Sequence, residues 1–216
     1  MKVVICGYKG KMGSLVYQRL FDNPCYEICG LIEANDSLIN ILTMQKIDVV
    51  IDFTNASNSL KNAYICLDKR VNYLSGTTGI DEQEINLLAK KVKEKQLSFL
   101  ICPNFSLGIN LLLKTLSLIK PYFKGVQIIE QHHISKLDKP SGTAIQLKKQ
   151  LNNHEMKIKS IRKETNELFH KIILKRNEEK IEIKHTTTSR ESYVDGVIYG
   201  LEKIGKFKGL KRTLNF

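Results

Sequence analysis

Nowhere in the 216-residue chain do apolar residues run for the roughly 20 positions that a membrane-spanning helix requires, which excludes that class of protein. The opening MKVVICGYKGKMG has only a short apolar run that breaks at Gly7. This is too brief for the core of a secretion signal, so a cytoplasmic location is expected. Cysteine is sparse and unpaired: Cys6, Cys25, Cys29, Cys66 and Cys102 are odd in number, include no C-x-x-C pair and have no histidine at finger spacing. That pattern argues for reduced structural thiols rather than a disulfide framework. No trio of histidine, cysteine and acid has metal-ligand spacing, so no metal is expected. Internal repeats, low-complexity linkers and single-sign charge runs are also missing.

What is present is an ordinary globular balance, 42% hydrophobic and 26% charged, which argues against disorder and fibrous architecture. The length suits one large domain or two small ones. A formal net charge of +12 attracts polyanions in general, phosphorylated cofactors and carboxylate substrates included. Because the basic residues are everywhere mixed with acids, nucleic-acid binding is not expected as a primary role.

Short apolar or β-branched runs at 2–6, 26–33, 47–53, 71–75 and 97–101 predict strands. Helical periodicity at 12–21, 56–69 and 81–95 falls between them, the last opened by Asp81 with Glu84 three residues on. Strands alternating with helices predict an α/β unit, a Rossmann-like doubly wound parallel sheet, over the first hundred residues. After Pro103 the rhythm changes. Helices are predicted at 106–120 and 141–151, and strands at 126–133, 156–162, 168–175 and 180–187, the last two joined by the charged turn at Asn177 to Glu179. This reads as a second, α+β domain with a mixed or antiparallel sheet. The expected division is a dinucleotide-binding domain over 1–103, completed by a helical C-terminal segment within 190–216, and a substrate-binding and oligomerisation domain over 104–189.

Gly7, Gly10 and Gly13 form G-x-x-G-x-x-G between the first strand and the first helix. Glycines permit a tight turn and close approach of backbone to a pyrophosphate, whose charge is met by amides at a helix N-terminus. Lys11 and Met12 lie in the same turn. Glu33, 20 residues beyond Gly13 at the end of the second strand, stands where an acid accepts hydrogen bonds from an adenosine ribose. Tyr8 fills the place of a customary glycine, so the motif alone is equally a turn that shapes the chain. Ala34 follows Glu33 where an arginine would meet a 2′-phosphate, which favours NADH over NADPH. Lys9 and Lys11 leave dual use open.

The densest functional string is EQHHISKLDKPSGTA, Glu130 to Ala144. It puts a proton donor, a cation and a nest of amides in one segment, a set suited to a dianionic substrate. Taken alone, it reads equally as solvated basic residues before an N-capped helix.

The string closely resembles the signature of the 4-hydroxy-tetrahydrodipicolinate (dihydrodipicolinate) reductase family. GYKGKMG at the start, DFTNAS at Asp52 to Ser57, SGTTG at Ser75 to Gly79, PNFSLGIN at Pro103 to Asn110 and SRESYVDG at Ser189 to Gly196 agree in order. The resemblance implies a cytoplasmic reductase, usually tetrameric through its second-domain sheets. Hydride would pass from NADH or NADPH to a cyclic, unsaturated dicarboxylate of lysine and diaminopimelate biosynthesis. It also implies His132 as proton donor with Lys136 as its cationic partner. His133, Lys136, Ser141, Gly142 and Thr143 would hold the substrate carboxylates. Gly76, Thr77 and Thr78, the Cys102, Pro103, Asn104 and Phe105 turn, and Phe53 would border the nicotinamide. Departures are Asn55 in place of a basic residue, RKETNELFH at Arg162 to His170 without the glycines common before the family's histidine there, which His170 matches, and the ending GLKRTLNF.

Two other readings stay open at this stage: a related nicotinamide enzyme for another small acid, and a non-enzymatic dinucleotide sensor. Among lone residues, His154, His170 and His185 read as surface or packing histidines. Arg190 reads as a structural ion pair or a carboxylate contact.

Overall fold

The computed structural model describes residues 1–34, 36–152 and 156–214, so His154 lies outside the described residues. Among the described residues no helix is long and apolar enough to cross a membrane. The chain divides into two compact units, one of residues 1–105 and 193–214, the other of residues 106–192.

In the first unit, β1 (Lys2–Cys6), α1 (Gly13–Phe21), β2 (Glu27–Ile32), α2 (Leu38–Met44), β3 (Val49–Asp52), α3 (Ala56–Asp68), β4 (Asn72–Ser75), α4 (Glu82–Glu94) and β5 (Ser98–Ile101) alternate along the chain. The strands β1, β3 and β5 are buried on both faces almost throughout, as VVI and SFLI runs must be when helices cover both sides of a sheet. Asp81 accepts the amides of Gln83 and Glu84 and so starts α4 where the sequence predicts. The sheet is parallel with order β2-β1-β3-β4-β5-β10, where β10 is Gly209–Lys211. The order reverses between β1 and β3. That topological switch point opens a crevice at the carboxyl ends of the strands, where such sheets bind ligands. Two elements go beyond the sequence expectation: the seven-residue α2 and the three-residue β10, which pairs with β5.

The second unit contains α5 (Leu107–Ile119), a 3-10 turn at Lys120–Tyr122, β6 (Gly125–His133), α6 (Gly142–Leu151), β7 (Ile158–Lys163), β8 (Leu168–Arg176) and β9 (Glu179–Thr187). Its sheet runs β7-β6-β8-β9, with β6 parallel to β7 and antiparallel to β8. Ile128, Ile172 and Leu174 form a core with Leu112, Leu116, Ala144 and Leu147 of the two helices. The apolar residues alternate along β6 and β8 because one sheet face packs on helices. The register is fixed by that alternation. It sets Glu130 opposite His170 on β8, and His132 opposite Arg162 on β7.

The final helix, α7 (Glu191–Lys203), contributes its residues from Tyr193 onward to the first unit. There Val194, Val197 and Leu201 are buried, and Asp195 meets Arg19 at 2.8 Å.

Candidate active site

The glycine turn after β1 is built by close backbone approach. Gly7 has φ of +75°, a conformation side chains rarely adopt, and a Cβ there would stand 2.9 Å from the Phe53 carbonyl oxygen. A Cβ on Gly13 would stand 2.0 Å from the Gly7 oxygen, so only glycine lets α1 start against the turn. No side chain caps α1, and no acid lies in its first turn. Among the described residues the amides of Lys11 and Met12 meet no acceptor within the fold. Uncapped amides at a helix N-terminus are the donors that a pyrophosphate requires, so these residues fit a dinucleotide.

Beside this turn lies a cleft of about 560 Å³, lined by Gly7, Gly10, Glu33, Ala34, Asp36, Phe53, Thr54, Asn55, Lys61 and Asn62, among others. Glu33 accepts the Lys9 amide at 2.8 Å through one carboxylate oxygen, and its own amide donates to Asp36 at 2.8 Å. Asp52, fully buried at the end of β3, accepts from the Thr54 amide, the Thr54 hydroxyl and Asn62. These bonds fix the loop that carries Phe53. The Phe53 ring lies on Gly76, where a Cβ would come within 2.2 Å of it, and tilts against Phe105 at 6.1 Å. Thr77 is buried, Thr78 and Pro103 are exposed, and the Cys102 thiol donates to the Asn104 carbonyl. Burial pushes that thiol up to about 11, which makes it inert at neutral pH. The cleft itself gathers Gly7, Gly10, Glu33 and Phe53. Lys11, Met12, Gly13, Gly76–Thr78 and Cys102–Phe105 lie outside its lining.

The second unit holds a cluster of side chains from three strands and a loop. His132, on the same face of β6 as Glu130, directs Nδ1 at one Glu130 oxygen. The other oxygen takes Nη1 of Arg162 at 2.9 Å. The His170 ring meets His132 edge-on at 5.2 Å, and its Nε2 lies 3.2 Å from the hydroxyl of Ser141. Ser141 caps α6 by accepting the Ala144 amide and is itself buried. Gly142 beside it is exposed, with open space where a Cβ would stand. α6 carries no acid in its first turn, so its amides form an anion-receptive end.

The electrostatics of the cluster follow from burial. Desolvation lowers the His132 pKa, with Glu130 opposing and the charges of Lys136 and Arg162 adding to the fall. It pushes His170 down to about 3, so that ring is neutral. Burial also works against the Glu130 carboxylate, but hydrogen bonds and the neighbouring cations outweigh it and hold the group below its ordinary range. His133 is exposed, and its Nδ1 accepts the Ser135 amide at 3.2 Å, so Nε2 is the ring nitrogen left to donate. Lys136 is paired with Asp138 at 2.7 Å.

The fold thus brings together His132, Ser141 and the α6 N-terminus, with His133 at the end of β6 and Lys136 on the loop that follows. Sequence reasoning missed Arg162, and of its two readings for His170, surface or packing, the structure shows the second. His170 is buried between His132 and Ser141 because β8 pairs it with Glu130. Linear spacing also concealed that Glu130, His132 and His170 each place one potential ligand atom within 4.8 Å of the others. The available signal was the alternation Glu130-x-His132, which puts both on one strand face. His185 is half-buried against Ser106 at 3.1 Å, and Arg190 is exposed.

Comparison with known proteins accords with this geometry. The family model for the dihydrodipicolinate reductase N-terminus matches residues 1–105, and that for its C-terminus matches residues 108–215. Relatives named 4-hydroxy-tetrahydrodipicolinate reductase include one from Carboxydothermus hydrogenoformans, 28% identical with 94% of both chains covered. Another, from Lactococcus lactis subsp. cremoris, is 29% identical over 99% of this chain and 96% of the relative. A dipicolinate-bound dihydrodipicolinate reductase from Paenisporosarcina sp. TG-14 has the same fold, with a TM-score of 0.90 at 24% identity over 99% of this chain and 98% of that one. The chain therefore belongs to the dihydrodipicolinate reductase family, whose members are oxidoreductases dependent on a nicotinamide dinucleotide.

Proposed function

We propose that the chain reduces 4-hydroxy-tetrahydrodipicolinate to tetrahydrodipicolinate in lysine and diaminopimelate biosynthesis, the first unit holding the dinucleotide and the second the cyclic dicarboxylate. The reaction gains a hydride and a proton and loses the 4-hydroxyl as water. The dinucleotide supplies the hydride. The Gly7, Gly10, Lys11, Met12 and Gly13 turn would hold its pyrophosphate, Glu33 its ribose, and Phe53, Gly76, Thr77, Thr78 and Cys102 to Phe105 would border its nicotinamide.

The observation that carries this reading is the placing of His132. Its Nδ1 is held by a carboxylate, and its ring lies one histidine away from the anion-receptive end of α6. Hydride addition to a conjugated imine leaves negative charge on the ring, and the imidazolium of His132 neutralises it by donating the Nε2 proton. Lys136, released from Asp138, adds a compact positive charge beside the same ring. His133 donates from Nε2 to one carboxylate, and the Gly142 and Thr143 amides receive the other. Ser141 contributes by capping the helix that presents those amides, since its hydroxyl is already engaged.

The acids Glu33 and Asp36 in the cleft favour NADH, because a 2′-phosphate beside either carboxylate is repelled. We assign the enzyme to the cytoplasm as a homotetramer. The sheet face that carries Ile129, Ile161, Phe169 and Ile173, opposite the helix-packed residues, is the surface for assembly. Light scattering of the purified protein tests this, and a monomeric mass removes it.

Absorbance loss of NADH and of NADPH tests the activity. The substrate is generated in the cuvette from pyruvate and aspartate semialdehyde by the synthase that precedes this step. Oxidation is expected only in the complete mixture and faster with NADH. Silence with both cofactors from folded, NADH-binding protein overturns the assignment.

A further inference from the structure

Behind His132 stands a second layer of charge that the reaction itself does not touch. Glu130 is fully buried and divides its carboxylate between His132 Nδ1 and Arg162 Nη1. Arg162 does more than neutralise it. Its Nε donates to the Lys136 carbonyl at 3.2 Å and Nη2 to the Asp138 carbonyl at 2.5 Å, both on the loop that carries the Lys136 ammonium. One guanidinium on β7 therefore braces the carboxylate behind the histidine and the backbone beneath the lysine.

We propose that Glu130 and Arg162 are positioning residues for the reduction: Glu130 fixes His132 with its Nε2 outward, and Arg162 holds Glu130 and the Lys136 loop in one register. The proposal rests on the assignment of His132 as proton donor. An ionised carboxylate only accepts hydrogen bonds, so the Nδ1 facing Glu130 must carry a proton and Nε2 is left as the exchanging atom. The groups facing His132 are Glu130 from its own strand, Arg162 from β7, His170 from β8 and Lys136 from the loop. Burial and the two cations disfavour the imidazolium, and His170 is neutral. Glu130 is therefore the one group of this set that favours the charged, proton-donating form. A buried ion pair serving stability alone needs neither the contact to Nδ1 nor the two carbonyls of the loop.

The test uses the full chain with Glu130→Gln, Arg162→Lys and the double variant Glu130→Gln with His132→Gln. Glu130→Gln keeps the size and one acceptor but removes the charge. It is expected to lower kcat at least about tenfold and to move the alkaline limb of the kcat profile about one pH unit lower, since the imidazolium loses its partner. KM for the dinucleotide stays unchanged. In nitrogen-15 histidine spectra the fraction of His132 protonated at Nδ1 falls. In the His132→Gln background Glu130→Gln changes turnover no further. Arg162→Lys, which cannot reach three acceptors at once, raises KM for the dicarboxylate more than it lowers kcat.

If Glu130→Gln does not fold, Glu130→Asp carries the test: it withdraws the charge from Nδ1 and is expected to shift the alkaline limb in the same direction. The proposal is overturned by a Glu130 variant whose pH limb and His132 tautomer stay in place, or by a loss of the same size with and without His132. Failure of the underlying assignment looks different, because His132→Gln then retains turnover whatever Glu130 does.

Discussion

The cleft of the first unit and the cluster of the second are made from different material. Around Gly7 to Gly13 the work falls to backbone: a positive φ, glycines in contact and amides at an uncapped helix end. Around His132 it falls to side chains that meet only because β6, β7 and β8 pair in one register. A backbone site binds and orients with fixed partial charges. A side-chain site holds groups that change protonation. The contrast is the one the proposed function requires, in which one region would hold a charged cofactor and the other would move a proton.

Removing one group from each region sharpens that contrast, and the largest effect is expected at His132. His132→Gln keeps a polar side chain of similar reach but no transferable proton, so kcat should fall by about 10²–10⁴ while the Kd for NADH is unchanged. Stopped-flow turnover and fluorescence titration of NADH measure the two quantities, and an equal loss of both would remove His132 from the chemistry. Gly13→Ala is the converse. Its Cβ would stand 2.0 Å from the Gly7 oxygen, so the turn must move away from α1. NADH affinity should fall by tenfold or more, with a loss of stability on the order of 1–3 kcal/mol. The chemical step measured at saturating cofactor should survive.

The same difference governs how much was legible in the sequence. The glycine turn, Glu33 and the capped start of α6 are contiguous or at fixed offsets, so their pattern stands in the chain itself. The doubly wound sheet was legible because fully buried strands read as unbroken runs such as VVI and SFLI. The helix α2 was not, since LINILTM is only seven residues long and Ser37 makes no side-chain capping bond. Three-residue β10 exists only through its pairing with β5. Arg162 was illegible as a site residue for the same reason: it reaches Glu130 across a strand pairing, and no local pattern announces which residue a strand will face. His170 was marked only by its match to the family's histidine and not by any pattern that placed it beside His132.

Titration separates the two regions by pH. His170 in the second unit is pushed down to about 3 and His132 is lowered with it, so the unfolded chain binds more protons than the native one in acid. Stability of this unit is therefore complete above the ordinary histidine range and lost as pH falls from about 6.5 toward 3, by up to about 1.4 kcal/mol per pH unit for His170. Glu130, held below its usual range, acts in the same direction at still lower pH. In the first unit burial raises the thiols of Cys6 and Cys66, and that of Cys102 to about 11. Their contribution is complete below about pH 9 and is lost above it, when the unfolded chain ionises first. Hydrogen exchange corrected for intrinsic rates should show residues 125–176 loosening in acid and residues 2–6 and 98–101 loosening in alkali. His170→Asn should flatten the acid branch alone, and an unchanged acid slope in that variant would deny His170 its part.

The smallest effect concerns Glu33, where backbone and side chain share one task. One of its carboxylate oxygens already accepts the Lys9 amide, so Glu33 braces the glycine turn, and in the proposed function its other oxygen would meet the ribose. Glu33→Gln keeps an acceptor for Lys9 and removes the charge. Loss of a charge-assisted bond should weaken NADH by about 1 kcal/mol, several-fold in Kd. NADPH loses no such bond and escapes a like-charge repulsion, though Asp36 still faces the cleft. The ratio of the two affinities is then expected to move toward NADPH by about tenfold at low salt, and by less as salt screens the remaining acid. Parallel titrations with both cofactors measure that ratio. Equal weakening of both would mean that Glu33 serves the turn alone, and the preference for NADH would then rest on Asp36.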